Sequence, residues 1–116
     1  LIGGIVCYDI EIKKNLLNIS QTHLEAYTAE SREITHALAL NGKKYFEQAD
    51  IIVAVTGLTK PGGSETVEKP VGSMFVSILY KDKCVDFECV FNGNSYQIID
   101  KTIMFISNKF LIIDAI

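Results

Sequence analysis

The chain has 116 residues and a formal net charge of -3, with 48% of its residues apolar and 22% charged. That is the length of one domain and the balance of a globular one, so disorder of the whole chain is excluded. Acids and bases are interspersed and no basic stripe alternates with aromatics, which argues against nucleic acid as a partner. No apolar run approaches the roughly 20 residues that a membrane helix needs.

In chain order, Leu1 to Tyr8 is apolar and β-branched enough to predict a buried strand. It opens Leu1-Ile2-Gly3-Gly4-Ile5-Val6, which reads as the middle of an element, so a stretch ahead of Leu1 is expected to belong to the same fold. Asp9, Glu11, Lys13 and Lys14 interrupt the opening, unlike a signal peptide. Asp9 to Ile19 alternates charge with Ile10, Ile12, Leu16, Leu17 and Ile19, predicting a turn into a short helix. Ser20 to Thr28 is polar and predicts another short turn or helix. Ser31 is placed to cap a helix, with Glu33 in the first turn where a negative charge suits the helix dipole. Ile34, Ala37, Leu38, Asn41 and Tyr45 follow on one helical face, and the helix is expected to end near Phe46.

Ile51-Ile52-Val53-Ala54-Val55 is apolar without alternation and predicts a strand covered on both faces at the centre of a sheet. Val71 to Tyr80 predicts a second strand, Lys81-Asp82 a turn, and Lys83 to Phe91 a half-buried strand with Val85, Phe87, Cys89 and Phe91 opposite Asp86 and Glu88. Asn92 to Ser95 predicts a turn and cap. Ile98, Ile99, Ile103, Ile106, Phe110 and Ile113 then predict a closing helix on the sheet. Together these elements predict a single α/β domain over residues 1–116, a layered sheet with helices packed on it.

The three cysteines, Cys7, Cys84 and Cys89, show no pairing pattern, which predicts reduced thiols and a cytoplasmic location. Cys84 and Cys89 stand five apart on a predicted strand and so face opposite sides, against a local disulfide or a zinc knuckle. His23 and His36 show no matching partner in the sequence, and each is expected on the surface or on a helix face.

The segment from Thr56 to Gly72 is the strongest functional signal. Its two prolines and run of glycines rule out regular structure, and loops of roughly 14 residues inside compact domains usually carry function. It leaves the end of a predicted central strand, where open α/β sheets place ligands. Gly57, Gly62 and Gly63 allow backbone N–H groups to approach an anion, Thr56 adds a hydroxyl, and Lys60 and Lys69 add positive charge. A small anionic ligand such as a phosphate ester fits that chemistry. A nucleoside-triphosphate P-loop does not: Gly63 stands where that motif needs Lys, and no helix follows at once. A plain surface connection with no ligand is the other reading of the composition.

Three stretches together resemble one family. They are Gly3-Gly4-Ile5-Val6-Cys7-Tyr8 followed by Lys13 and Leu16-Leu17, then Ala29-Glu30-Ser31-Arg32-Glu33-Ile34, and finally Ala54-Val55-Thr56-Gly57 with Pro61-Gly62-Gly63 and Glu68-Lys69-Pro70-Val71-Gly72. They are similar to the C-terminal domain of the competence-damage-inducible protein CinA, also found alone as nicotinamide-nucleotide amidase. The resemblance implies hydrolysis of the carboxamide of nicotinamide mononucleotide to nicotinic acid mononucleotide and ammonia. It implies a serine amidase with no metal or other cofactor and a small-molecule nucleotide as substrate. By position Lys13 and Tyr8 match the family's catalytic Lys and Tyr, while Thr56, Gly57, Gly62, Gly63 and Lys69 fall at the substrate loop.

The residue types suit amide hydrolysis. A Ser hydroxyl must lose its proton as it attacks, a Lys held away from water can accept it, and a Tyr can hold or relay it. Backbone N–H groups stabilise the tetrahedral oxyanion by roughly 3 kcal/mol per donor. The resemblance places the nucleophile in a Glu-Ser-Cys-Thr-Gly-Gly segment ahead of Leu1, so the first helix and its Ser are expected to be missing from these 116 residues. Ser20, Ser31, Ser64, Ser73, Ser77, Ser95 and Ser107 match no nucleophile position. Asp9 and Ile10 replace the family's usual Ser-Asn, and Leu58, Thr59 and Lys60 replace its Ile-Ala-Gly, both close to the expected ligand. A domain without its first helix is also expected to expose apolar surface and to form homo-oligomers.

Overall fold

The computed structural model describes residues 1–113. A π-helical turn, Ile12–Leu16, leads into α1 (Gln21–Tyr27) and α2 (Arg32–Gly42), and a 3-10 turn at Lys43–Tyr45 extends α2. β1 (Ile51–Gly57), β2 (Ser73–Tyr80) and β3 (Lys83–Val90) form a three-stranded antiparallel sheet in the order β1-β2-β3, and α3 (Ser95–Leu111) closes the fold.

Local chemistry sets most of these boundaries. The Ser20 hydroxyl accepts from the His23 amide and the Ser31 hydroxyl from the Ile34 amide, so both short helices begin at a capped residue. Asn94 and Gln97 form a reciprocal capping box at the start of α3. Lys81 and Asp82 both take positive φ, the geometry of a tight turn whose twist matches the strands it joins.

The register sorts the sheet into two faces. Ala54, Ser77 and Asp86 line up across the strands, as do Thr56, Phe75 and Glu88, and these look toward α2. Val55, Val76 and Phe87 lie on the opposite face with α3, where the Phe87 and Phe105 rings meet edge to face at 5.3 Å. Ile34 from α2, Ile78 from β2 and Ile98 from α3 are fully buried. Each such side chain contributes about 2–3 kcal/mol on leaving water.

Two sequence expectations are corrected here. Ile51 to Val55 does not lie at the sheet's centre: β1 is an edge strand among the described residues and is mostly half-buried. The covered central strand is β2, whose Ser73 to Ile78 are all buried because both its edges are paired and both its faces are packed. Nor is Leu1 to Tyr8 a strand. It joins no ladder, and only Ile5 and Cys7 pack, half-buried, against the core of Leu17, Ile19, Leu24, Ile34 and Leu38. Between this segment and the free edge of β1 runs an open apolar groove of about 620 Å³. Apolar side chains of α3, among them Tyr96, Ile103 and Met104, also face outward. Among the described residues no helix is long and apolar enough to cross a membrane.

Candidate functional site

Lys13 lies on the π-helical turn and is 5% exposed, an unusual place for an ammonium. Two main-chain carbonyls explain it: Nζ donates to Cys7 O at 2.6 Å and to Tyr8 O at 3.2 Å. Lys13 therefore ties the irregular N-terminal segment to the turn that follows, and one of its three N–H bonds remains for another acceptor. The Tyr8 side chain is 90% exposed and projects away from the core. Tyr8 and Lys13 are joined through the Tyr8 carbonyl.

The loop from Thr56 to Gly72 is irregular, as its composition requires, and is held at both ends. The Leu58 amide donates to Ser73 O and the Gly72 amide to Leu58 O, closing its base. Gly72 has φ +99°, and a Cβ there would stand 2.0 Å from Phe91 O, so only glycine fits. Gly57 is favoured for a different reason: a Cβ would meet the Ser73 carbonyl oxygen at 2.8 Å and displace the Met74 side chain, whose Sδ lies 2.2 Å away. The start of α3 is pinned to the same loop by Ser95 Oγ donating to Thr59 O.

At the loop's tip the amides of Gly62 and Gly63 both donate at 2.9 Å to the two oxygens of the Glu65 carboxylate. The Gly62 amide above all, with those of Glu65 and Gly63, holds this carboxyl below its ordinary 4.5. The loop is thus shaped to hold an oxyanion, and here it holds one of its own.

The loop's other polar groups turn toward the helices. Lys69 Nζ donates to Thr28 Oγ1 and to Glu30 O, and Ser64 Oγ donates to Glu30 Oε2, so the loop is docked on the corner between α1 and α2. The Thr56 hydroxyl is buried and bonded to Thr35 Oγ1 at 2.8 Å. Lys60 is exposed. Among the described residues no hydrogen bond links Tyr8 or Lys13 to the loop.

Sequence reasoning missed Glu65 and the partner of His36. The Gly-Gly-Ser-Glu order was a signal for the first, since a carboxylate two residues beyond a glycine pair can fold back on their amides. His36 was expected to have no partner, yet its Nδ1 lies 2.9 Å from Asp86 Oδ2. That pairing joins positions 50 residues apart, which no local pattern announces.

A family model described as the CinA C-terminal domain matches residues 1–110. The chain belongs to that family. A CinA-like protein of Prochlorococcus marinus (strain MIT 9215) is 43% identical over 76 residues, covering 66% of this chain and 18% of that protein. One from Geotalea uraniireducens is 36% identical over 95 residues, covering 82% of this chain and 22% of that protein. The chain therefore spans about a fifth of the length of these curated CinA-like relatives.

Solved structures agree on the fold. The CinA superfamily protein from Enterobacter cloacae superposes with a TM-score of 0.79 at 22% identity, covering 88% of this chain and 59% of that one. The competence/damage inducible protein CihA from Agrobacterium tumefaciens gives 0.70 at 27% identity, covering 78% and 55%. The single α/β domain with its sheet and packed helices is the fold of CinA C-terminal domains.

Proposed function

We propose that this chain carries the lysine, tyrosine and anion-loop part of a nicotinamide-nucleotide amidase site. In this reading the nucleotide's phosphate takes the place of the Glu65 carboxylate on the Gly62 and Gly63 amides. Lys69 braces the loop from the side through Thr28 and Glu30, and Gly57 lets the strand end pass close to Met74. Thr56 contributes through its bond to Thr35, which holds the strand end in place, and not through a free hydroxyl. Lys13, after giving up one of its own protons to solvent, accepts a proton from a serine supplied by a segment outside these 116 residues, and Tyr8 orders that transfer. No metal is called on for this reaction. The observation that carries the reading is the pair of glycine amides already gripping a carboxylate.

Two measurements test it. Calorimetry with nicotinamide mononucleotide should show saturable binding that tightens in Glu65→Gln, because the internal competitor loses its charge. Ammonia release should be absent for the 116-residue chain and present when a Ser-bearing family segment precedes it. Absence of binding in both wild type and E65Q rejects the anion-loop assignment. Turnover by the chain alone rejects the need for an added serine. Binding without turnover in the extended protein favours a second reading, a nucleotide-binding module with no catalysis, which the outward-facing Tyr8 ring supports.

A further inference from the structure

His36, Ser77, Cys84 and Asp86 converge under α2, and the amidase reading uses none of them. His36 stands in the middle of α2, while Ser77 and Asp86 are cross-strand partners on β2 and β3. Cys84 precedes Asp86 by two residues on β3 and so shares its face. One carboxylate gathers the group. Nδ1 of His36 lies 3.0 Å from Asp86 Oδ1 and 2.9 Å from Oδ2, Ser77 Oγ donates to Oδ1 at 2.7 Å, and the Cys84 thiol reaches the same oxygen at 3.9 Å. Imidazole nitrogen, thiol sulfur and carboxylate oxygen all lie within 4.8 Å of one another.

We propose that this cluster binds one divalent cation of the zinc class, ligated by His36 Nδ1, Cys84 Sγ and an Asp86 oxygen, with water completing the shell. The donor set is the first reason. A nitrogen, a sulfur and an oxygen ligand suit a borderline-soft tetrahedral ion and not calcium or magnesium, which take oxygen ligands. Geometry is the second. Zinc bonds of about 2.0–2.3 Å separate tetrahedral ligand atoms by roughly 3.3–3.6 Å, so the present cluster closes around an ion with side-chain movements of about an ångström. Support is the third. The ligands rise from a helix and a paired strand, and the buried Ser77 hydroxyl orients the carboxylate as ligating carboxylates require. The partly exposed His36 leaves an entry path and room for the water.

A His–Asp hydrogen bond accounts for two of these groups and leaves the thiol as a long third contact; a bound cation takes all three as ligands. On binding, the Cys84 S–H bond breaks, its proton passes to solvent buffer, and the sulfur–metal bond forms. The imidazole coordinates in its neutral form with its hydrogen on Nε2. The ion then clamps α2 to the β2–β3 hairpin.

The test uses the metal-stripped full chain, titrated with Zn²⁺ by calorimetry and with Co²⁺ by absorption. One equivalent of either ion should bind, Co²⁺ should give the intense near-ultraviolet band of a thiolate ligand, and Zn²⁺ should raise Tm. His36→Asn and Cys84→Ser should each weaken binding by roughly 10–100-fold or more, and C84S should abolish the band. C7S, C89S and H23N should change neither. Circular dichroism checks that the variants fold, and alkylation of wild-type Cys84 with and without Zn²⁺ needs no variant. Absence of saturable binding, binding indifferent to H36N and C84S, or Cys84 alkylation unaltered by Zn²⁺ overturns the proposal.

Discussion

Lys13→Met separates an anchoring lysine from one kept solely for chemistry. Methionine retains an unbranched apolar stem, so the packing of the side chain is largely conserved. The substitution deletes Nζ and with it the bonds to Cys7 O and Tyr8 O. Hydrogen bonds from a charged donor contribute about 1.5–3 kcal/mol each. The shorter bond, to Cys7 O at 2.6 Å, merits the middle of that range, while the one to Tyr8 O at 3.2 Å lies in a segment open to water and merits less. Relief of burying a cation offsets part of the loss. The expected net cost is about 2–3 kcal/mol. Urea unfolding followed by far-ultraviolet circular dichroism reads it directly. With a slope of roughly 1–3 kcal/mol per molar urea, the midpoint should fall by about 0.7–3 M with the slope unchanged. The Cys7 thiol, beside the lost anchor, should also react faster with a thiol reagent. An unchanged or raised midpoint refutes the anchoring argument.

Gly72 and Gly62 share positive φ, but only Gly72 has atoms in the way, with Phe91 O at 2.0 Å from its added Cβ. Gly62→Ala should cost about 1–2 kcal/mol from backbone strain alone. Gly72→Ala should cost clearly more in Tm or urea midpoint; equal costs contradict the packing account. The Gly62 and Gly63 amide resonances should titrate together with the Glu65 carboxyl at a midpoint below 4.5. Because that value is depressed in the fold, the tip's contribution to stability is present above the unfolded value and is lost as pH falls through the folded one. A midpoint at or above 4.5 would show that the amides do not hold the carboxylate in solution. Burial above all, with Asp86 beside it, pushes the Cys84 thiol up from 9.0 to about 11. Its alkylation at pH 8 should then be about 100-fold slower than that of an ordinary thiol, by thiolate fraction. Mass spectrometry of a timed reaction measures this, and an ordinary rate refutes the raised value.

Much of the fold was legible because it is written in short-range chemistry. Ser31 and Asn94 cap their helices through neighbours three residues on. The β2–β3 hairpin follows from alternation around Lys81-Asp82, and the glycine- and proline-rich segment could only be a loop. The capacity of that loop's amides to approach a carboxylate was legible in its glycines. That Glu65 occupies them, that Lys69 braces the α1–α2 corner, and that the Thr56 hydroxyl is committed to Thr35 were not legible. Each depends on which groups the packed helices bring within reach.

The limit of the sequence shows best in two apolar runs and one histidine. Ile51 to Val55 and Leu1 to Tyr8 both read as buried strands, because hydrophobicity reports a preference to leave water and not which surface will satisfy it. Tertiary structure placed β1 at an edge and β2 at the centre by deciding which backbone groups find partners on both sides. His36 read as unpaired because a long-range hydrogen bond is a matter of distance in space, and only the packing of α2 across the sheet brought Asp86 to it. The sequence by itself determined most of the elements, the caps of the helices, the loop and the family. The tertiary structure alone decided which polar groups met, since side-chain partners are selected by packing between segments far apart in the chain.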